Sequence, residues 1–417
     1  MTGAIRVVSC SRSAEAVETV IDNIRHRRHV LALVSKTNSA LDAEATALLE
    51  SARDADLPRA GFVLHTSGST GRPRSMCVST DQLADYAASV GDIYGIRDSD
   101  VIAINNHVEA DYFLEESAIA AHYGLSYTVV PEDLSPADEQ FTDLIGEQNV
   151  SVLILPLGAW RLWNDELEYA DRRVPECLRV LVVGGEKLMD SDLDALLRRT
   201  HAGQLLVNAY GPTETTVATH FDRISRTSRS AQYSIGHPRP GVACRVVATP
   251  RSSELFGPGV GELLIGGPVV VDGYLWDEPA TADKFEVDAS GTRWFRTGDA
   301  VRKEPDGSYA FFGRLDRVFK DRGWLFDAAE VEARLRKDLG NDYLVVVGLT
   351  DADRRRCLDV TYDRGHPPTE QPTTFSLKPA HHIALRWLPA TGLKRTPGAK
   401  VIVGADTDSS TRREWAE

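Results

Sequence analysis

The chain has 417 residues, of which 42% are hydrophobic and 26% charged, as is ordinary for a globular protein large enough for more than one domain. Its formal net charge of −14 argues against a nucleic-acid-binding protein and against attachment to an anionic membrane surface. The five cysteines form no CxxC pair, and neither a membrane-spanning apolar run nor a signal peptide is evident, so we expect reduced thiols and a cytoplasmic location.

Short apolar runs alternate with helical patterns through the first half of the chain. This alternation predicts a largely parallel α/β core. Ser13 and Ser191 are the predicted N-caps of the first and last of these helices. We predict strands at 6–9, 29–34, 61–64, 101–104, 126–130, 152–155 and 179–183, and helices that include 14–27, 81–90 and 192–199.

The pattern changes after about residue 230, where short strands at 242–247, 261–266 and 308–312 are separated by Gly and Pro turns. A further α+β pattern follows, with a helix at 328–337 and a strand at 343–347. We therefore predict an N-terminal core over residues 1–315 with a β-rich subdomain at about 230–315. A smaller C-terminal α+β domain over 316–405 and a disordered tail over 406–417 complete the prediction.

The stretch TSGSTGRPR at residues 66–74 follows a predicted strand. Its glycines let the backbone approach a ligand, and its amides, hydroxyls, Arg72 and Arg74 can meet an anion. A flexible surface loop has the same composition, so the stretch alone leaves both interpretations open. It is not a Walker A loop or a Rossmann fingerprint, because the GK[ST] and GxGxxG patterns are absent.

Four further motifs follow in order: NAYGPTETT at 208–216, GELLIGGP at 261–268 with GYL at 273–275, RTGD at 296–299, and GRLDRVFKDRG at 313–323. With these motifs the chain resembles the acyl-adenylate-forming superfamily, and most closely the adenylation domains of nonribosomal peptide synthetases. The resemblance covers roughly residues 60–402. It implies a large α/β core with parallel sheets, followed by a small β-rich subdomain and a smaller, mobile C-terminal domain.

The same resemblance implies a function. The chain is expected to activate an amino acid with ATP as its aminoacyl-adenylate, releasing pyrophosphate, with Mg²⁺ as the metal cofactor. The acyl group would then pass to the phosphopantetheine thiol of a separate carrier protein in natural-product biosynthesis, such as that of antibiotics.

The resemblance also assigns nucleotide-binding residues. Tyr210 is expected to stack on adenine, Asn208 to meet its amino group, and Glu214 to coordinate Mg²⁺. Asp299 is expected to bind the ribose, with Arg314 nearby. The remaining ATP-binding positions are Thr66, Ser67, Gly68, Ser69, Thr70, Gly71, Gly185, Glu186, Ala209, Gly211 and Thr215.

The terminal motif of the family resembles residues 393–401, LKRTPGAKV, and places Lys400 in the catalytic position. Lys394 is the alternative, because the stretch before it matches the same motif more loosely. Thr66, Arg74 and Glu214 complete the implied catalytic set, with Arg74 in place of the usual lysine. Residue Asp316 is the implied hinge.

In amino-acid-activating members an Asp holds the α-ammonium group, and Asp111 falls at that position relative to Thr66 and Gly124. The alternative is a helix N-terminal Asp stabilised by the dipole. Glu115 lies one turn on, on the same face, and predicts a basic or diamino acid substrate unless it is simply solvated. The other implied pocket positions are Tyr112, Gly158, Val182, Gly184, Ala209, Val217 and Ala218.

Three other functions remain open: an acyl-CoA ligase, an amide ligase, and a non-catalytic homologue that acts as a binding or scaffold protein. Asp111 favours an amino acid, and retention of Glu214, Asp299, Arg314 and Lys400 argues against the scaffold. The phosphate loop begins earlier than in typical relatives. Residues 1–60 are therefore expected to be a compacted remnant, with surface there for a partner protein or a second copy of the chain.

Overall fold

The computed structural model describes residues 5–35, 58, 60–67, 73–226, 233–321, 324–340, 344–352, 355–378, 381–390, 394–395 and 401–402. None of the helices in these ranges is long and apolar enough to cross a membrane. The helices are α1 Ala14–His26, α2 Thr80–Tyr94, α3 Asp111–Tyr123, α4 Glu139–Glu147, α5 Leu157–Tyr169, α6 Asp190–Arg199, α7 Pro250–Phe256, α8 Glu278–Lys284 and α9 Ala328–Leu339, with a 3₁₀ turn at Thr213–Thr215.

The strands are numbered in chain order. The first thirteen are β1 Ile5–Cys10, β2 Val30–Ser35, β3 Gly61–Ser67, β4 Pro73–Ser79, β5 Val101–Ile104, β6 Ser126–Val129, β7 Val152–Pro156, β8 Val180–Gly184, β9 Leu205–Tyr210, β10 His220–Arg223, β11 Ser234–Pro238, β12 Ala243–Val247 and β13 Gly261–Gly266. The others are β14 Tyr274–Leu275, β15 Phe285–Val287, β16 Arg293–Lys303, β17 Tyr309–Arg314, β18 Val318–Asp321, β19 Trp324–Asp327, β20 Leu344–Ala352, β21 Arg355–Asp363, β22 Thr374–Lys378, β23 His381–Ala390, β24 Lys394–Arg395 and β25 Val401–Ile402.

Two sheets form the larger part of the molecule. The first has the order β1-β2-β3-β4-β14, with β1, β2 and β3 parallel and the last two strands antiparallel to their neighbours. The second has twelve strands in the order β12-β13-β16-β17-β11-β10-β9-β8-β7-β5-β6, with β15 added beside β16. Its second half, from β9 to β6, is parallel.

Helices cover both faces of this parallel half. On β8, Val180 and Val182 face a core shared with α1, α2, α3 and the first sheet, whereas Leu181 and Val183 face a second core with α4, α5 and α6. Strands buried on both faces read as continuous apolar runs, as this segment does. The predicted parallel α/β core is therefore present.

The β-rich segment is not a separate sheet, because β10 pairs with β9 on one side and β11 on the other. After residue 316, β18 and β19 form a hairpin, and α9 packs on the sheet β20-β21-β23-β22 around Phe326, Val331 and Leu335. This is the expected α+β pattern. The domain boundary at residues 315–316 stays a prediction, and the tail over 406–417 lies outside the described residues.

The helix caps test the sequence rules directly. Ser13 caps α1 as predicted, with its side chain accepting from the Ala16 amide at 3.3 Å. The prediction for Ser191 is wrong, since α6 begins at Asp190 and Met189 is its N-cap. The carboxylate of Asp192 accepts from the Met189 amide at 3.0 Å, so the helix start is stabilised from its third residue.

The compacted remnant expected over residues 1–60 stays a prediction, since the structure describes residues 5–35, 58 and 60 of this segment. β1, α1 and β2 form a β–α–β unit whose strands pair in parallel. Arg12 attaches it to the large sheet by donating to the carbonyls of Val130 and Pro131, each at 2.6 Å. Whether this region carries a partner or a second copy stays a prediction.

Candidate functional site

The candidate site lies beyond the carboxyl ends of the parallel strands, where open α/β sheets bind ligands. Gly158 follows β7 at the start of α5, Gly184 ends β8, and Tyr210 ends β9. Predicted substrate and nucleotide positions thus meet at one edge. Four other predicted pocket residues are buried in the core below it: Val182, Ala209, Val217 and Ala218.

The turn after β8 requires glycine. A Cβ atom on Gly184 would lie 2.3 Å from the Ala209 carbonyl oxygen. Gly185 has φ +83°, and a Cβ there would lie 2.9 Å from the Tyr112 hydroxyl. Tyr112 therefore packs on this turn from α3, so α3 and β8 form two sides of the predicted substrate pocket.

Asp111 is the first residue of α3, and its carboxylate Oδ2 accepts from the Thr213 hydroxyl at 2.6 Å. Burial raises the pKa of Asp111, and the nearby charge of Glu214 adds to this, although the bond from Thr213 opposes it. A half-buried carboxylate with a raised pKa is suited to receive a cation. The bond to Thr213 joins the predicted substrate residue to the turn that carries Glu214.

Glu115 is fully buried one turn further along α3. Its Oε1 accepts from the hydroxyls of Tyr86 at 2.6 Å and Tyr94 at 2.8 Å, both on α2. Its Oε2 is buried and has no hydrogen-bond partner in the described part of the chain. Burial raises the pKa of Glu115 to about 7. The alternative of a solvated glutamate is therefore wrong.

Tyr210, Asp299 and Arg314, three of the predicted nucleotide residues, lie together. The Tyr210 hydroxyl donates to Asp299 Oδ2, and the Tyr210 ring packs on Phe311 with centroids 5.9 Å apart. Asp299 and Arg314 are register partners on β16 and β17, with Oδ1 and Nη1 3.6 Å apart. The Arg314 Nε also donates to Asp316 Oδ1 at 3.0 Å, so the predicted hinge residue contacts this cluster directly.

Other predicted nucleotide residues have partners within the protein. Asn208 Nδ2 donates to the Ser234 carbonyl at 3.0 Å, and the Thr215 hydroxyl donates to the Pro212 carbonyl at 2.9 Å. Glu186 Oε2 accepts from Arg161 Nη1 at 2.6 Å. A Cβ on Gly211 would lie 2.6 Å from the Cα atom of Ala218, so this turn also requires glycine.

A contact that the sequence analysis did not assign joins Arg74 to Glu214. The Tyr274 hydroxyl donates to Glu214 Oε1 at 2.7 Å, and the Arg74 guanidinium lies over the Tyr274 ring, 5.0 Å from its centroid. Tyr274 was visible only as a member of the GYL motif at 273–275.

The side chains available as metal ligands fit a metal ion that binds together with the nucleotide. No group of three or more His, Cys, Asp or Glu side chains suited to a metal exists within the described residues. Glu214 nevertheless supplies one nearly buried carboxylate. Mg²⁺ is commonly bound by one or two carboxylates together with substrate phosphates, so Glu214 would hold it beside the phosphate loop.

Some predicted residues cannot be located. Gly68, Ser69, Thr70, Gly71 and Lys400 lie outside the described residues, as does Arg72. Thr66 and Ser67 end β3, where Thr66 is the register partner of Arg74, and Lys394 begins β24. The choice between Lys394 and Lys400 stays open.

Comparison with known families identifies the family and the fold. The model of the AMP-binding enzyme family matches residues 4–275. The chain belongs to this family. The identification made from the sequence motifs is thus confirmed, and so is the α/β fold class.

Curated relatives of this AMP-binding enzyme are much longer. The "Probable non-canonical nonribosomal peptide synthetase (NRPS) CymA" of Salinispora arenicola (strain CNS-205) is 35% identical over 319 residues, which are 75% of this chain and 4% of that protein. The delta-poly-L-ornithine synthetase of Acinetobacter baumannii (strain AB307-0294) is 26% identical over 98% of this chain and 31% of that protein. The chain spans between 4% and 55% of the length of the first four curated relatives.

Solved structures share the fold. The structure of McyG A-PCP complexed with phenylalanyl-adenylate superposes with a TM-score of 0.69 at 20% identity, covering 93% of this chain and 66% of that chain.

Proposed function

We propose that this AMP-binding enzyme uses ATP to activate an amino acid as its aminoacyl-adenylate in the cytoplasm. The observation that carries the proposal is the bond from Thr213 to Asp111. It brings a half-buried carboxylate, suited to an α-ammonium group, beside the turn that carries Glu214. The Tyr210–Asp299–Arg314 cluster lies at the other end of the same loop. Substrate and nucleotide would therefore meet at this loop.

The chemistry follows from these positions. The substrate carboxylate attacks the α-phosphorus, forming one P–O bond while the bond to pyrophosphate breaks. Tyr210 and Asp299 hold the nucleoside, and Arg74 offsets phosphate charge. Glu214 would hold the Mg²⁺ that binds with ATP, and this ion would supply further positive charge. Lys400 is proposed to bridge the substrate carboxylate and the α-phosphate.

Amino-acid-dependent exchange of pyrophosphate into ATP tests this proposal. Asp111→Ala should reduce the exchange by at least about a hundred-fold, because the α-ammonium group loses its counter-charge. Asp98→Ala removes an exposed aspartate and is the matched control. Exchange that survives in Asp111→Ala would contradict the substrate assignment.

The same assay separates the two lysines. Lys400→Ala should abolish adenylate formation while ATP binding persists, whereas Lys394→Ala should retain most of the activity. The reverse result would assign the catalytic role to Lys394.

We also propose that the amino acid is basic or carries a second amino group. Glu115 supports this, because its fully buried Oε2 has no partner among the described residues and an ammonium group would provide one. The name of one relative, a delta-poly-L-ornithine synthetase, agrees with a diamino acid.

A substrate panel tests this second proposal. Ornithine and lysine should support faster exchange than norvaline and norleucine, which have side chains of similar length without the amine. In Glu115→Gln, the side-chain amide oxygen can still accept hydrogen bonds from Tyr86 and Tyr94, but the negative charge of the carboxylate is lost. The preference for the diamino acids should fall at least about ten-fold. An unchanged preference in this variant would remove Glu115 from substrate recognition.

The acceptor is proposed to be the phosphopantetheine thiol of a separate carrier protein, reached after the C-terminal domain swings about Asp316. Transfer of a radiolabelled acyl group to a phosphopantetheinylated carrier tests this. Transfer to coenzyme A or to a free amine would favour a CoA or amide ligase instead. A folded chain that forms no adenylate with any acid would support the scaffold function.

A further inference from the structure

The two-residue strand β14 completes the edge of the first sheet and lies where the sheet meets the nucleotide site. Tyr274 pairs with Met76 of β4, and Leu275 pairs with Ser75. This pairing places the Tyr274 side chain between the end of the phosphate loop and the 3₁₀ turn at Thr213–Thr215. One side chain therefore contacts both residues proposed to meet the phosphates and the metal.

The Tyr274 hydroxyl fixes one oxygen of Glu214. Its 2.7 Å bond to Oε1 lies in a buried setting, since Glu214 is 9% exposed and Tyr274 7% exposed. The main chain of the same turn is also held, because the Val271 amide donates to the Glu214 carbonyl at 3.0 Å. With Oε1 engaged, Oε2 is the oxygen that the carboxylate can offer to a cation.

The Tyr274 ring is itself fixed. Its amide donates to the Thr281 hydroxyl at 2.9 Å, and the ring packs edge-on against Phe285 with centroids 5.3 Å apart. A tyrosine side chain that is held in place can fix the orientation of a carboxylate. A mobile tyrosine side chain would instead move with the carboxylate. The orientation of Glu214 is thus determined by the packing of α8 and β15.

Arg74 packs against the same ring. Its guanidinium is 5.0 Å from the Tyr274 centroid, and its Nε is 3.9 Å from Asp277 Oδ2. A cation on a tyrosine face is attracted by the ring electrons. The position of Arg74 and that of Glu214 therefore depend on the same side chain.

We propose that Tyr274 is a positioning residue that holds Glu214 and Arg74 in register to receive the phosphates and the Mg²⁺ of MgATP. The inference rests on the proposed function, in which both residues meet the nucleotide. Tyr274 touches neither the phosphates nor the metal in this role. It acts through the two side chains that do.

Tyr274→Phe isolates this role, because the ring under Arg74 and against Phe285 is kept and only the hydroxyl is lost. Glu214 then loses its donor, and binding must orient the carboxylate. Calorimetric titration with ATP at a series of Mg²⁺ concentrations, without amino acid, should show about ten-fold weaker binding in excess Mg²⁺. Binding in EDTA and the KM for the amino acid should stay unchanged.

Tyr127→Phe is the matched control, since its hydroxyl also donates to a carboxylate, that of Glu18, at the surface. A double-mutant cycle provides the decisive comparison. In a Glu214→Gln background, Tyr274→Phe should have little further effect on MgATP binding if it acts through Glu214.

The outcomes are distinct. Tyr274→Phe with wild-type affinity at every Mg²⁺ concentration would overturn the inference alone. Equal losses in the wild-type and Glu214→Gln backgrounds would also overturn it, because Tyr274 would then act by another route. A wild-type chain that binds no ATP would overturn the proposed function itself.

Discussion

Glu115 shows how a single residue can oppose folding. Burial raises its pKa to about 7 from an ordinary value of 4.5, so the folded chain holds this proton more tightly than the unfolded chain. The free energy of unfolding therefore decreases as the pH rises from about 4.5 to about 7, and the decrease is complete above that range. The difference of about 2.5 pKa units corresponds to roughly 3 kcal/mol.

Glu115→Gln should remove this pH dependence. Relative to wild type, the variant should gain up to roughly 3 kcal/mol in unfolding free energy between pH 4 and pH 8, because the amide does not ionise. Urea unfolding at several pH values measures the difference. Parallel stability curves for the two proteins would show that Glu115 titrates normally in the fold.

The stability lost when Glu115 ionises has a functional interpretation. Glu115 is held by two tyrosine hydroxyls and has no cationic partner among the described residues, so it is prepared for a ligand that brings a cation. A diamino substrate should therefore lower the pKa of Glu115 when it binds. A monoamino acid of equal length should not.

At the level of elements, β13 fixes a bulged turn in the middle of β16, and this turn carries Asp299. Glu262 Oε1 accepts from the Gly298 amide at 3.1 Å, and Oε2 accepts from Arg296. Gly298 has φ +74° and a Cβ there would lie 3.1 Å from Arg314 Nη2, so the turn is tight and needs glycine. A carboxylate on one strand thus shapes the middle of the strand paired with it.

Glu262→Ala should loosen this turn. We expect a loss of about 1–3 kcal/mol in unfolding free energy, since the partly buried Gly298 amide loses its acceptor. Affinity for ATP should fall as well, because Asp299 is no longer held. Glu286→Ala, on the exposed part of β15, is the control. Unchanged ATP affinity in Glu262→Ala would separate this turn from the nucleotide site.

Helices and strands could be predicted from the sequence where neighbouring residues determine them. The apolar runs of the parallel strands and the Ser13 cap were read correctly from neighbouring residues. β14 could not be predicted, because it has only two residues and becomes a strand by pairing with Met76. For the same reason the partners of Glu115 were not predicted: Tyr86 and Tyr94 reach it only because of how α2 packs on α3.

At the scale of the whole molecule, Lys187 and Asp327 connect the α/β core to the hairpin that follows Asp316. Lys187 Nζ lies 3.8 Å from Asp327 Oδ2, with the two side chains 10% and 7% exposed. Lys187 Nζ also lies 4.1 Å from the Tyr233 ring centroid. A rotation of the C-terminal part about Asp316 would have to break this nearly buried pair.

Lys187→Met should favour the rotation about Asp316, because the nearly buried charge of Asp327 would lose the nearby positive charge of Lys187. Amide exchange in β18 and β19 should become several-fold faster, while exchange in β7 and β8 stays the same. Lys284→Met, which removes a lysine paired with Asp283 in a more exposed setting, is the control. Unaltered exchange in the hairpin would show that the pair does not hold the two parts together.

The position of β14 also has a consequence for how the protein is made. The first sheet begins with the earliest residues of the chain, yet its last strand lies about two hundred positions after β4. At ribosomal rates of about 5–20 residues per second, the β4 edge emerges roughly 10–40 s before its partner. During that interval the nascent chain exposes an unpaired strand edge, and the Arg74–Tyr274–Glu214 contacts cannot form. Full affinity for MgATP would then require synthesis past residue 275 and also past Asp299 and Arg314.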